Sequence, residues 1–130
     1  MVTNTTAIGL NPDIANAQAC DEELHHIIDE INHYLYNFGH SWIFLSIGRS
    51  HFQKCSRSWA RVYVHLGKFL QDPRSNYSLL MTILDHEKQK FPQGSFYAKK
   101  LIKLEQLVCL GPIFQTLTYI RNISPLLSIQ

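Results

Sequence analysis

Apolar residues return at steps of three and four in one segment after another, and glycine or proline closes most of these segments. This constrains the chain more than any other feature, because such steps place side chains along one stripe of a helix, whereas a half-buried strand alternates in twos. Leu24, Ile27, Ile28, Ile31, Leu35 and Phe38 form the first stripe, with Asp21, Glu22 and Glu23 in its opening turn and Gly39 at its end. Trp42, Ile43, Leu45, Ile47 and Phe52 predict a second helix. Trp59, Val62, Tyr63, Leu66, Phe69 and Leu70 predict a third, stopped by Asp72-Pro73. A fourth carries Leu79, Leu80, Ile83, Leu84 and Glu87 and ends at Phe91-Pro92-Gln93-Gly94. Ser95 is then the expected cap of a fifth with Tyr97, Leu101, Leu104 and Val108, and Ile113 to Arg121 follows Gly111-Pro112. The expected fold is all-α: one bundle of five to seven short helices over residues 20–130, after a flexible tail over 1–19 whose Asn, Thr, Ala and Gly show no period.

With 130 residues and 45% apolar composition, one packed core forms without staples. No stretch approaches the roughly 18 consecutive apolar residues of a membrane helix, so no span is expected. Residues 1–18 have neither a positive start nor an apolar block, so no secretory signal is expected, and the sequons at Asn4, Asn76 and Asn122 read as accidental. The three cysteines lack C-x-x-C spacing, which argues against a zinc ribbon and fits a reducing compartment. Cys109, inside Leu107-Val108-Cys109-Leu110, reads as a small buried hydrophobe. Cys20, at the edge of the tail, is expected to be exposed, either as a free thiol or as an intermolecular disulfide that makes a homodimer.

Charge is divided unevenly. All 12 Lys and Arg lie at or after Arg49, and six of the 10 acids lie before it, so the parts carry 0 − 6 = −6 and 12 − 4 = +8. Lys54, Arg57, Arg61, His65 and Lys68 follow helical steps and form one basic face opposite the third apolar stripe. Lys99, Lys100 and Lys103 make a second cluster. These faces suit an acidic protein, a nucleic acid, or simple complementarity with the acidic first helix. Nucleic acid is the least favoured, since the net charge is only +2 and no zinc-finger, RNP-like or arginine-rich motif is present.

Catalytic and metal signatures are weak. Glu30-Ile31-Asn32-His33 is an E-x-x-H turn, and His26, Glu30 and His33 share a helical face, but a di-iron bundle needs a second such turn and none follows residue 33. No metal or other cofactor is therefore assigned. Asp85-His86-Glu87 reads as surface, because consecutive helical residues point about 100° apart. Nucleophile-elbow, Walker, dinucleotide-binding and H-E-x-x-H patterns are all missing, so a non-enzyme is expected.

Ile27-Ile28-Asp29 through Leu35, Gly39, Ser41 and Trp42 resembles the amino-terminal homology motif of the B-cell-lymphoma (Bcl) family of apoptosis regulators. Ser58-Trp59-Ala60-Arg61-Val62, followed by Leu66-Gly67, is similar to the motif that opens that family's central helix, with Ala60 and Ser58 in place of glycine and asparagine. A second register takes Phe91-Pro92-Gln93-Gly94-Ser95-Phe96-Tyr97-Ala98-Lys99 for the same segment, with Tyr97, Ala98 and Lys99 as substitutes. Gly111, Phe114 and Leu117 are similar to the carboxy-terminal motif. The resemblance implies a Bcl-like bundle that sequesters an amphipathic helix of a pro-apoptotic protein in a hydrophobic groove. It implies that Arg61 or Lys99 pairs with an aspartate of that helix, with Trp59, Val62, Leu66 and Tyr97 as binding residues. A compact viral member acting in the host cytoplasm would suit the short loops. The alternatives are an adaptor that uses the basic face and a small metal-binding bundle.

Overall fold

The computed structural model describes residues 12–39, 48–111 and 114, and among these every regular element is helical. Helix α1 spans Pro12–Gly39, α2 Arg49–Gln71, α3 Pro73–Lys88 and α4 Phe96–Val108. The all-α class is therefore present, in four helices among the described residues, with α1 and α2 long rather than short. The expected stretches Trp42–Ile47, Ile113 and 115–121, like residues 1–11, lie outside the described residues.

Two boundaries correct the sequence reading. Helix α1 begins at Pro12, so residues 12–19 are helical rather than tail. Proline at a first helical position lacks only an N–H that has no intrahelical partner anyway. The expected break between Phe52 and Trp59 does not exist, since α2 runs unbroken through both. Nothing between Arg49 and Trp59 stops a helix, because the segment contains neither glycine nor proline.

The stops after α2 act locally. Asp72 alone joins α2 to α3; its carboxylate accepts from the Ser75 N–H at 3.3 Å, and Pro73 occupies the first turn of α3. Asn76 Nδ2 donates to the carbonyls of Lys68 and Asp72, each of which also accepts a backbone N–H, and so ties the end of α2 to the first turn of α3. Ser95 caps α4, its Oγ accepting from the Ala98 N–H at 3.3 Å, after a turn through Pro92 and Gly94.

Burial follows the stripes except at Tyr63 and Leu79, which are 51% and 49% exposed and so correct their place on them. Leu24, Ile27 and Ile31 of α1 meet Val62, Leu66 and Phe69 of α2, Leu80 and Leu84 of α3, and Leu101, Leu104 and Val108 of α4 in one core, which Phe91 and Phe114 extend. Each such side chain contributes on the order of 1.5–3 kcal/mol. Helix α2 packs on α1 and α3, and α4 packs on α1 and α3. Lys100 of α4 reaches Glu30 of α1 at 2.7 Å and lies over the Phe96 ring, joining the two helices by charge as well as by packing.

Near the C-terminal end of α1, Phe38 stacks parallel to Phe52 and meets His51 edge-on, and Tyr34 stacks on Phe96. The Tyr34 hydroxyl and the Cys55 thiol both lie within hydrogen-bond reach of His51 Nε2, at 3.3 and 3.5 Å. Gly48 fits beneath this cluster because it has no side chain: a Cβ there would overlap the Phe38 ring.

Candidate functional site

Helix α2 separates two chemistries by its own period. Cys55, Trp59, Val62, Leu66 and Phe69 face inward, while Lys54, Arg57, Arg61 and Lys68 are exposed and His65 is half-buried at the margin. The basic face inferred from spacing is thus an outer face of the folded chain.

Where this face meets the end of α3, a cleft of about 440 Å³ opens. Lys54, Arg57, Arg61, Ser58 and Glu87 line it, with Lys90 from the turn after α3. Glu87 forms its base with its side chain only 2% exposed. This corrects its reading as surface. The step Leu80, Leu84, Glu87 places Glu87 on the inward stripe of α3, while its neighbours Asp85 and His86 are exposed.

The buried carboxylate is held by cations and a hydroxyl. Lys90 Nζ donates to Glu87 Oε2 at 2.8 Å, and Arg61 Nη1 approaches the same oxygen at 3.4 Å. Burial alone raises the Glu87 pKa, but hydrogen bonds from Lys90 and Ser58 and the charges of Lys90 and Arg61 outweigh it, leaving the group below its ordinary value. Tyr97 OH and Ser58 Oγ are hydrogen-bonded at 2.7 Å. An ionised carboxylate only accepts, so the Ser58 proton points to Glu87 and the Tyr97 proton to Ser58. Burial pushes the Tyr97 phenol well up, which keeps it a neutral donor.

This relay orients charge. A carboxylate with a lowered pKa is a weak base, and Ser58 is buried, so the group is poorly suited to proton abstraction or nucleophilic attack. The cleft's chemical capacity lies in its unused donors. Arg57 has no partner among the described residues, and Arg61 offers one contact to Glu87 out of five donor hydrogens. Lys54, which also lines the cleft, already donates to the Lys90 carbonyl and sits 4.9 Å over the Phe91 ring.

The other residues singled out from sequence separate into core and surface. Trp59 is 6% exposed, donates from Nε1 to Asn32 Oδ1 at 2.8 Å and meets Tyr63 edge-on. Val62, Leu66 and Tyr97 are at most 2% exposed, so with Trp59 they supply helix packing rather than the wall of an open groove. Lys99 is exposed and does not line the cleft. Its neighbour Lys100 is the one turned inward, to Glu30.

His26 and Glu30 approach at 3.3 Å, but His33 accepts instead from Asn37 Nδ2, so the three do not converge. The described residues contain no group of three or more His, Cys, Asp or Glu placed to hold a metal. Two cysteine expectations reverse. Cys109 is exposed just beyond α4, and Cys20 is half-buried in α1, where burial raises its thiol pKa. The Cys20 reversal follows from the earlier start of α1, whereas Cys109, read as buried from its apolar neighbours, is the C-cap of α4 and one position past the buried Val108.

No helix among the described residues is long and apolar enough to cross a membrane. No protein-family model, curated protein or solved structure matches this chain.

Proposed function

We propose that this chain is a non-catalytic binding module that takes an acidic segment of another protein along the outer face of α2, with the cleft as its anchor. The observation that carries this reading is the concentration of four cations, Lys54, Arg57, Arg61 and Lys90, around one opening in which the single carboxylate, Glu87, lies at the base. An incoming carboxylate finds guanidinium donors at the rim in fork geometry, and charge-assisted bonds of this kind contribute about 1.5–3 kcal/mol. Arg61 keeps the role that the resemblance to apoptosis regulators gives it, that of reading an acid on a partner helix.

The fuller version of that resemblance adds apolar anchors of a pro-apoptotic helix seated on Trp59, Val62, Leu66 and Tyr97. In the closed bundle these side chains are core, so this version requires the packing around α2 and α4 to part.

Titration of the full chain with a glutamate-rich helical peptide, followed by fluorescence anisotropy at about 50 and 200 mM salt, tests the reading. Binding that weakens with salt, and weakens further in Arg57→Gln and Arg61→Gln, is expected. Absence of binding, or binding indifferent to both substitutions, would contradict it.

A further inference from the structure

The same cleft is better matched to a phosphoryl group than to a carboxylate. We infer that the acidic segment is read in phosphorylated form, with a phosphoserine-type dianion seated among Arg57, Arg61, Lys54 and Lys90; this rests on the function proposed above and deepens it.

Charge is the first support. Four cations and one carboxylate leave the cleft at 4 − 1 = +3. A carboxylate brings one negative charge and two oxygens, whereas a phosphomonoester brings about −1.5 to −2 and three strong acceptor oxygens.

Donor geometry is the second. Residues 54, 57 and 61 are successive turns on one face of α2, with neighbouring Cβ atoms about 5–6 Å apart, so they line the cleft from one helix while Lys90 lines it from the turn after α3. Arg57 has no partner among the described residues, and Lys90 spends one of its three donor hydrogens on Glu87. One carboxylate satisfies a single guanidinium fork. Three phosphoryl oxygens engage both arginines and a lysine together.

Glu87 restricts the ligand further. Its buried charge fixes Arg61 and Lys90 in place and repels an anion pushed deeper, so the phosphoryl group sits at the rim. Among the described residues the cleft lining contains no aromatic ring on which a base would stack. A localised cation cluster around a buried acid therefore favours one phosphoryl group on a peptide over the continuous backbone of a nucleic acid.

Three probes distinguish the outcomes in isothermal titration of the full chain near pH 7.5: a glutamate-rich peptide with a central phosphoserine, its unphosphorylated twin, and a single-stranded oligonucleotide of similar length. The phosphopeptide is expected to bind at least tenfold more tightly than its twin, with inorganic phosphate competing. Arg57→Gln is expected to remove most of that difference while leaving thermal unfolding unchanged. The advantage is also expected to shrink toward pH 5.5, as the second phosphate proton, with a pKa of about 6, returns. Equal binding of the two peptides would overturn the phosphoryl reading and leave the acidic-segment function intact. Failure of both peptides to bind would overturn both. An oligonucleotide that binds more tightly than the phosphopeptide would replace the peptide with a nucleic acid.

Discussion

Arg61 and Glu87 face each other across the seam between α2 and α3 with 3.4 Å between Nη1 and Oε2, yet the arginine side chain is 57% exposed and the glutamate side chain 2%. The pair thus joins the core to the outer face. A buried carboxylate needs its cations, and the cations it holds are the ones a partner meets first.

Glu87 should make stability depend on pH in a definite direction. Its folded pKa lies below its ordinary value of 4.5, so its contribution is present above that value and is lost as pH falls through the lower folded pKa. Glu87→Gln is expected to cost about 1.5–3 kcal/mol at pH 7, and the gap between variant and parent should close in acid. Urea midpoints between pH 7 and pH 2.5 measure this. A glutamine variant as stable as the parent at neutral pH would mean that desolvation cancels the ion pairs.

The contact between Lys100 and Glu30 is the corresponding charge link between α1 and α4, at 2.7 Å with the lysine side chain 10% exposed. Lys100→Met is expected to lose about 1–2 kcal/mol, between an exposed and a fully buried pair. A double-mutant cycle with Glu30→Gln in thermal unfolding should return a coupling of similar size. Additive losses would show that Lys100 acts through its aliphatic stem and the Phe96 ring alone.

Gly48 is held by close approach rather than by backbone conformation, since its φ of −98° is open to any residue. Gly48→Ala pushes a methyl into the Phe38 ring, for an expected loss of about 1–3 kcal/mol. Phe38→Leu is expected to be costly on its own but to reduce the penalty of Gly48→Ala when the two are combined. Calorimetric midpoints of the four proteins test this, and equal penalties in both backgrounds would place the clash elsewhere.

Thiol labelling should follow exposure. Cys109 is exposed, Cys20 is half-buried with a raised pKa, and burial pushes the Cys55 thiol up to about 11. Mass spectrometry after brief alkylation of the native protein should find Cys109 modified first and Cys55 last. An oxidised dimer, if formed, is expected through Cys109 rather than Cys20. Faster modification of Cys55 than of Cys109 would indicate that α2 opens at its first turns.

Much of the core was legible in the sequence because the three-to-four step of Trp59, Val62, Leu66 and Phe69 carries over directly into burial, and Asp72-Pro73 and Ser95 act where their chemistry places them. The start of α1 was missed because Ala15, Asn16, Ala17 and Gln18 show no apolar period, although Asn11-Pro12-Asp13 carries the signature of a helix start. The expected break before Trp59 fails because no glycine or proline lies between Phe52 and Trp59 to stop the helix.

The site was half legible. Spacing within one helix gave the face of Lys54, Arg57 and Arg61, whereas Glu87 lies 26 residues from Arg61, and only tertiary packing brings them together. Its place on the stripe with Leu80 and Leu84 was the available signal, and its charge argued against reading that signal as burial. Trp59 and Tyr97 show the converse. Their motif context pointed to a partner, while their size and period already suited the core.

The most direct measurement is amide chemical-shift mapping of the labelled chain titrated with the glutamate-rich helical peptide. Shifts concentrated at Lys54, Arg57, Arg61 and Lys90, with the amides of Val62, Leu66 and Tyr97 nearly still, are expected. An unperturbed spectrum, or shifts centred on those core residues with the basic face silent, would contradict the account.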